Sequence, residues 1–204
     1  MTRNVAFVLF DGNEELDWAG PWEVLTMLGL IVPESVRCFI VSETGGLVRS
    51  AKGLRVEADY SFATAPKADI IVIPGGVGTR QEETNSAMLD YMRSAAAIAE
   101  VTTSVCTGAF VLARAGLLEG KKATTYWNQM ERLGNIEGIE PVESRWVDAG
   151  DVITAAGVSA GIDMALHLVG RLWSPEIAVT VQKYMQYYPA PPHQEQALPE
   201  WAPA

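Results

Sequence analysis

Short apolar runs that alternate with helix-like segments place the tightest constraint on what this chain can fold into. Asn4–Phe10 (NVAFVLF) and Ala68–Ile73 (ADIIVI) are apolar along almost their whole length, and Val36–Ser42 and Val101–Val105 are also strand-like. A strand without alternation between apolar and polar residues is buried on both faces, as in the centre of a parallel sheet. The sequence therefore predicts an α/β domain whose mostly parallel sheet is covered by helices on both faces.

The remaining periodic segments predict helices and one hairpin. Pro21–Leu30 begins with a proline, which suits the first turn of a helix. Val142–Ala155 contains two alternating segments joined at Ala149-Gly150-Asp151, which is typical of an antiparallel hairpin. Further helices are predicted over Asn85–Ala99, Thr107–Ala115, Gly157–Trp173 and Pro175–Tyr187.

Length and C-terminal composition predict one domain with an extension. A chain of 204 residues can bury a full core and does not require division into two domains. We therefore expect a single α/β domain over residues 1–188. The segment 189–204 contains five prolines and no periodic apolar face, which predicts a proline-rich extended arm.

Charge and composition exclude several classes of partner. Fifteen Lys and Arg against 25 Asp and Glu give a net charge of −10, which repels nucleic-acid phosphates and anionic lipids. No apolar stretch reaches the roughly 18 residues that a membrane span requires. Cys38 and Cys106 are too few for a disulfide framework, and neither has the spacing of zinc ligands. We expect a cytoplasmic protein that uses no metal and binds neither membrane nor nucleic acid.

Cys106 stands where a predicted strand ends and a helix begins, in the sequence TTSVCTGA. At such a junction the positive end of the helix dipole and unpaired N–H groups favour the thiolate, which is the reactive form. Gly108 has no side chain and permits the close approach that a tight turn needs. The residues alone also allow Cys106 to be an inert buried thiol. Cys38, within a plain strand pattern, is interpreted as structural.

Two other segments reach the same edge of the predicted sheet. Gly75 and Gly76 directly follow ADIIVI, at the carboxyl end of a strand, where ligand sites of open α/β sheets lie. Their N–H groups are candidates to stabilise developing negative charge, although many such turns are only turns. Asp17 lies between Leu16 and Trp18, and a desolvated carboxyl group beside a thiolate can donate its proton during turnover.

Aromatic residues are the remaining candidates for a binding site. Tyr126 and Trp127 are candidates to line an apolar pocket, although such residues also serve as ordinary core. His167 lies in a predicted helix and His193 in the proline-rich segment, so the sequence does not indicate a Cys/His dyad.

Four motifs together resemble the ThiJ/PfpI superfamily over nearly the whole chain. They are FDGxxxLDxAGPxEV at Phe10–Val24, IPGG at Ile73–Gly76, SVCTGAFVLARAGLLEGKKATTYW at Ser104–Trp127 and AAGVSAGID at Ala155–Asp163. The motifs LDxxGP and CTG, with a YxPxPP motif at Tyr187–Pro192, are most similar to those of the isocyanide (isonitrile) hydratase branch.

This resemblance implies a flavodoxin-like three-layer α/β/α sandwich with a nucleophile elbow, assembled as a homodimer. It implies catalytic roles for Cys106, Asp17 and Thr107, with Gly75 and Gly76 as substrate- or oxyanion-binding groups. The implied reaction is the cysteine-dependent hydration of a small-molecule isocyanide to an N-substituted formamide through a covalent thioimidate, without a cofactor.

Two departures from the resemblance keep other functions open. Thr107 replaces the histidine of protease-like members, which argues against a peptidase. Tyr126 stands where many members have histidine, which leaves a glyoxalase-like or deglycase-like activity on small α-oxoaldehydes as an alternative. A non-catalytic redox sensor or ligand-binding protein is the third possibility, because a reactive cysteine can also be oxidised. The thirty-one residues after Trp173 are too few for a DNA-binding domain.

Overall fold

The computed structural model describes residues 2–189, so the predicted proline-rich arm lies, apart from Pro189, outside the described residues. The strands are β1 (Arg3–Val8), β2 (Val36–Ser42), β3 (Gly46–Arg49), β4 (Arg55–Ala58), β5 (Tyr60–Ser61), β6 (Ile70–Ile73), β7 (Val101–Val105), β8 (Lys121–Ala123), β9 (Ile139–Pro141), β10 (Trp146–Asp148) and β11 (Val152–Ala155). The α-helices are α1 (Glu15–Ile31), α2 (Thr79–Glu82), α3 (Ser86–Ala96), α4 (Gly108–Arg114), α5 (Met130–Gly134), α6 (Ala160–Leu172) and α7 (Pro175–Tyr184), with a 3₁₀ helix at Trp127–Gln129.

Seven strands form the main sheet, in the order β10-β11-β7-β6-β1-β2-β5. All neighbours pair in parallel except β10 and β11, which form the predicted antiparallel hairpin around Gly150. From β1 the chain adds β2 toward one edge of the sheet, and from β6 it later adds β7 toward the other edge. The strand order therefore reverses between β1 and β6, and ligand sites of open α/β sheets form at the carboxyl ends of such strands.

The core confirms that the central strands are buried on both faces. Along β1, Val5 and Phe7 belong to one apolar cluster, while Ala6 and Val8 belong to a second on the opposite face. Helices α1, α6 and α7 contribute to the first cluster, and α3, α4 and α5 contribute to the second. The result is the flavodoxin-like three-layer sandwich. Within residues 2–189, no helix combines the length and apolar character needed to cross a membrane.

The start of α1 differs from the prediction. Pro21 was expected to open the helix, but α1 begins at Glu15 and Pro21 lies inside it. A proline within a helix lacks one donor, so packing must compensate. Such packing is present, because the Pro21 ring lies so close to Gly161 of α6 that a Cβ there would meet its Cγ at 3.1 Å. This earlier start places Asp17 in the first turn of α1.

Several small elements were not predicted. The hairpin of β3 and β4 and the parallel pair β8 and β9 lie outside the main sheet. These strands carry many half-exposed or exposed residues, for example Leu47 at 64% exposure, so they lack the apolar runs that identify the central strands.

Candidate active site

Cys106 occupies a strained turn between β7 and α4. Its φ angle is +58°, in the left-handed region that residues other than glycine rarely adopt. Its N–H donates to the carbonyl oxygens of Ala155 (3.1 Å) and Ala156 (2.8 Å), and its own carbonyl accepts from Thr125 Oγ1 at 2.8 Å. These bonds hold the strained backbone in place, so the strand-to-helix elbow implied by the resemblance is present.

Glycines make the elbow sterically feasible. A Cβ on Gly108 would lie 2.7 Å from the Ile73 carbonyl oxygen and 2.8 Å from that of Pro74. A Cβ on Gly75 would lie 2.8 Å from the Cβ of Cys106. Real Cβ atoms do not approach other atoms this closely, so β6 and the elbow meet only because both positions lack a side chain.

Asp17 brings a fully buried carboxyl group to the site from α1. Its Oδ2 accepts the Gly75 N–H at 2.8 Å, while its Oδ1 has no hydrogen-bond partner among residues 2–189. Burial raises the pKa of Asp17 to about 7, and the charge of Glu14 acts in the same direction. The hydrogen bond from the Gly75 N–H lowers this pKa, and the nearby Cys106 side chain and Val158 N–H act in the same lowering direction.

The surroundings of the Cys106 thiol favour its protonated form. Burial, together with the negative charge of Asp17, raises its pKa to about 12. The backbone and side chain of Thr107 hydrogen-bond toward the sulfur and lower the pKa, as the elbow geometry suggested, but they do not outweigh desolvation. Burial of the sulfur beside a carboxylate thus acts against the thiolate that the donors of the turn were expected to favour, and the resting thiolate stays a prediction.

Thr107 is the centre of a small polar network. Its Oγ1 accepts the Gly76 N–H at 3.0 Å, and the Thr79 hydroxyl lies 3.0 Å from the same atom. The Thr79 hydroxyl also donates to the Gly76 carbonyl at 2.6 Å. The amides of Gly75 and Gly76 thus already bond to Asp17 and Thr107, and they differ in this respect from the free oxyanion donors that were expected.

Cys106, Thr107, Thr79 and Gly76 line one cavity of about 320 Å³, whereas Asp17 and Gly75 are not part of its lining. That volume is at the small end of the range for ligand pockets. Tyr126 forms part of the wall, as predicted, and Gly157 makes room for its ring, since a Cβ there would lie 2.2 Å from the ring. The lining residues are Glu14, Ala51, Gly76, Val77, Thr79, Arg80, Cys106, Thr107, Tyr126, Asn128, Gln129, Arg132 and Val158.

Trp127 does not line this cavity, contrary to the prediction. It begins the 3₁₀ helix after Tyr126, and 73% of its surface is exposed. Its ring centroid lies 5.8 Å from that of Tyr126, so it contacts the wall from outside. In this short 3₁₀ turn the side chains of Tyr126 and Trp127 point in different directions. The sequence TTYW contains no signal for that turn.

Sequence reasoning missed five polar residues of the cavity: Thr79, Arg80, Asn128, Gln129 and Arg132. Thr79 and Arg80 lie on the short helix α2 and Arg132 on α5, neither of which was predicted. The sequence GVGT after IPGG was the only local signal near them. Across residues 2–189, no group of three or more His, Cys, Asp or Glu side chains is arranged to hold a metal ion.

The fold and the elbow cysteine define a class of α/β proteins, and comparison with known proteins identifies it. The chain belongs to the DJ-1/PfpI family, whose pattern matches residues 3–171. A protein named isonitrile hydratase from Pseudomonas putida is 38% identical over 204 residues, which covers 100% of this chain and 86% of that protein.

Solved structures agree with this assignment. A ThiJ/PfpI family protein from Pseudomonas syringae has a TM-score of 0.89 at 31% identity, over 97% of this chain and 80% of that one. DJ-1beta from Drosophila melanogaster has a TM-score of 0.82 at 24% identity, over 93% of this chain and 100% of that one. The second similarity concerns the fold alone.

Proposed function

We propose that this protein hydrates isocyanides (isonitriles) to N-substituted formamides, with Cys106 as the nucleophile. The observation that carries the proposal is a strained, buried thiol at the wall of one small cavity, with the buried carboxyl group of Asp17 close enough to influence it. The terminal carbon of an isocyanide is narrow and unhindered, so it can reach a residue that is only 6% exposed. The 38% identity to the isonitrile hydratase supports the same reaction class.

The protonation state of the pair determines how the reaction starts. With pKa values of about 7 for Asp17 and about 12 for Cys106, the pair holds one proton between these values, and that proton resides on sulfur. As the sulfur attacks the terminal carbon, Asp17 accepts the thiol proton and transfers it to the same carbon. The S–H bond breaks, C–S and C–H bonds form, and the product is a covalent thioimidate, R–N=CH–S–Cys106.

Water completes the reaction. Asp17 is again ionised after protonating the carbon, so it can accept a proton from the attacking water. The water oxygen bonds to the thioimidate carbon, the nitrogen is protonated, the C–S bond breaks and the sulfur regains its proton. The N-substituted formamide leaves. All protons and electron pairs come from Cys106, Asp17, the substrate and water, so the sequence of steps requires no metal or organic cofactor.

The neighbouring groups hold this pair in position. The Gly75 N–H fixes one oxygen of Asp17 and leaves the other without a protein partner. The Gly76 N–H fixes Thr107, whose backbone and side chain act on the sulfur. We infer that Thr107 supports the sulfur as charge develops on it, and that Tyr126 limits the width of the cavity.

The direct test supplies the purified protein with a small alkyl isocyanide and, separately, with methylglyoxal. Formamide release is followed by nuclear magnetic resonance, and lactate is the product that a glyoxalase-like activity would form. We expect formamide from the isocyanide and its loss in Cys106→Ala. Release that persists in Cys106→Ala overturns the mechanism.

The same experiment separates the alternatives. Consumption of methylglyoxal alone would replace the hydratase by the activity on α-oxoaldehydes. If neither compound is consumed and peroxide adds oxygen to Cys106 selectively, the protein is a redox sensor and not a hydratase.

We also propose that the protein is a cytoplasmic homodimer with a single domain over residues 1–188. The described cysteines are both free thiols, which supports a reducing compartment. The dimer rests on the family resemblance. Light scattering after gel filtration measures it, and a mass of 22.1 kDa, which is that of one chain, would contradict it.

A further inference from the structure

Two arginines line the cavity of a strongly acidic protein. The chain carries a net charge of −10, yet Arg80 and Arg132 both lie in the wall that contains Cys106. Among residues 2–189, Glu14 is the one acidic side chain in that wall, and it is paired with Lys52. The mouth of the site therefore differs in sign from the average surface, and such local charge attracts ligands of opposite sign.

Arg132 is held in place by two contacts that leave donors available. One of its terminal nitrogens donates to Glu83 Oε2 at 2.5 Å, and the Glu83 side chain is only 5% exposed. The guanidinium also lies over the Phe110 ring, 4.1 Å from its centroid. Because a guanidinium has five N–H donors in a planar arrangement, a group fixed in this way can still donate to a ligand in the cavity.

Arg80 supplies a charge that the protein does not neutralise locally. It lies on α2, next to Thr79, and makes no ion pair with any residue in the range 2–189. Arg132 is paired with Glu83, and Glu14 is paired with Lys52, which Glu15 shares, so Arg80 is the charged side chain of the wall that has no ion-pair partner among the described residues. An anionic group is the ligand chemistry that this arrangement would stabilise.

We propose that the substrate carries a carboxylate, which Arg80 and Arg132 bind while the reactive carbon faces Cys106. The inference rests on the proposed function and narrows it to small isocyano carboxylates. The small cavity limits the spacer between the two groups to a few carbon atoms. Other walls of the cavity, formed by Val77, Tyr126 and Val158, are suited to that apolar spacer.

The first test compares 3-isocyanopropanoate with its methyl ester, which has nearly the same shape and no charge. In the wild type we expect kcat/KM for the carboxylate to exceed that for the ester by about 10- to 100-fold, the factor that charged hydrogen bonds provide. Arg80→Gln should remove most of this ratio. Arg114→Gln, an exposed arginine on α4 outside the cavity, should leave it unchanged. A wild-type ratio near one overturns the proposal.

Arg132 needs a paired variant. Removing it alone would leave the buried Glu83 unpaired, which can prevent folding. The double variant Glu83→Gln, Arg132→Gln removes both charges and keeps the wall neutral at this point. We expect the ratio to fall in this variant, with a circular dichroism spectrum like that of the wild type. A ratio equal to the wild-type value would remove Arg132 from the proposal.

A second test does not depend on isocyanide chemistry. In a Cys38→Ala background, Cys106 is the one remaining thiol, and its alkylation by iodoacetate and by iodoacetamide is followed by mass spectrometry at pH 9. Relative to glutathione, we expect the rate ratio of the anionic to the neutral reagent to be higher by about tenfold, and to fall in Arg80→Gln. If no isocyanide is hydrated but this preference holds, the hydratase proposal fails and the anion site stands. If the preference is absent, the anion site fails.

Discussion

Cys106 is buried and Cys38 is half-buried, and burial raises the pKa of each thiol to about 12. Cys38 lies within the regular strand β2, opposite Val5 of β1, and desolvation is the whole cause of its shift. Cys106 lies at a turn with a positive φ angle, beside a buried carboxyl group and at the wall of a cavity. The two thiols therefore share their acidity and differ in their surroundings.

The comparison shows that a lowered pKa is not what distinguishes the candidate nucleophile. A thiol with an ordinary or raised pKa needs a nearby base when it reacts, and Cys106 has one in Asp17. Within residues 2–189, no charged group contributes to the pKa shift of Cys38, and Cys38 does not line the cavity that contains Cys106. The reactivity of a thiol in this protein would therefore depend on a nearby proton acceptor and on access for the substrate. It would not depend on the resting charge of the sulfur.

The largest expected effect on activity comes from replacing one of the two thiols, and each is replaced in turn. Cys106→Ala should lower kcat/KM for a small isocyanide by about 10⁴-fold or more, because no covalent intermediate can form. Cys38→Ala is the matched control, since it removes a thiol of the same pKa and should leave turnover within about twofold, as expected for a site away from the chemistry. Steady-state kinetics with formamide detection measures both. Equal losses in the two variants would mean that the contrast between the thiols is structural only.

Asp17→Asn tests whether the carboxyl group is the difference that matters. The substitution keeps an acceptor for the Gly75 N–H but cannot accept the thiol proton, so turnover should fall by about 10²- to 10⁴-fold. It also removes a negative charge that raises the pKa of Cys106, so iodoacetamide alkylation should move to lower pH. A variant with a more acidic thiol and less activity would sharpen the comparison. Full activity would remove Asp17 from the mechanism.

The pH dependence of the wild type follows from the same pair. The reactive form contains one proton, so Asp17 must be ionised and Cys106 protonated. Since burial raises the pKa of Asp17 to about 7, kcat/KM should fall about tenfold for each pH unit below 7. It should be nearly constant between about pH 8 and pH 10, because the thiol loses its proton only near its pKa of about 12. A rise that continues through pH 8 to 10 would instead identify a resting thiolate as the reactive form.

The sequence was sufficient to predict the layers of the fold and the two central groups of the site. Apolar runs such as ADIIVI identify central strands because burial on both faces leaves no room for polar residues. Cys106 was found because its strand and helix are both regular, and Asp17 because its neighbours in sequence are apolar. These are local patterns, and local patterns survive in the structure.

Other features depend on contacts between distant segments. Burial of the sulfur, and after it the charge of Asp17, which is far away in the chain, raise the pKa of Cys106 against the effect of the donors of the turn. Arg132 reaches the cavity from a short helix without a periodic pattern. Pro21 is tolerated inside α1 because α6 packs against it. None of these contacts leaves a signal in the neighbouring residues.

Substitution of Thr79 should have the smallest of these effects on activity. It tests how hydrogen bonds around Cys106 position the neighbouring side chains. Its hydroxyl donates to the Gly76 carbonyl at 2.6 Å, while the Thr107 hydroxyl lies 3.3 Å from the same oxygen. The Thr79 hydroxyl shares this acceptor with the Thr107 hydroxyl and lies 3.0 Å from that hydroxyl, so it helps to position the Thr107 side chain beside the sulfur. Thr79→Val should therefore lower kcat by about tenfold with little change in KM, as expected for one lost hydrogen bond at a buried site.

Two further variants separate positioning by Thr79 from a general loss of stability. Thr79→Ser keeps the hydroxyl and should restore kcat, whereas a role in packing the methyl group alone would leave it impaired. Thr84→Val removes an exposed hydroxyl that bonds to Gln81 in the same stretch of chain, and it should leave the kinetics unchanged. If Thr79→Val raises KM and leaves kcat intact, Thr79 contacts the substrate and does not position Thr107. The polar groups that influence Cys106, and that Cys38 lacks, would then include Thr107 but not Thr79.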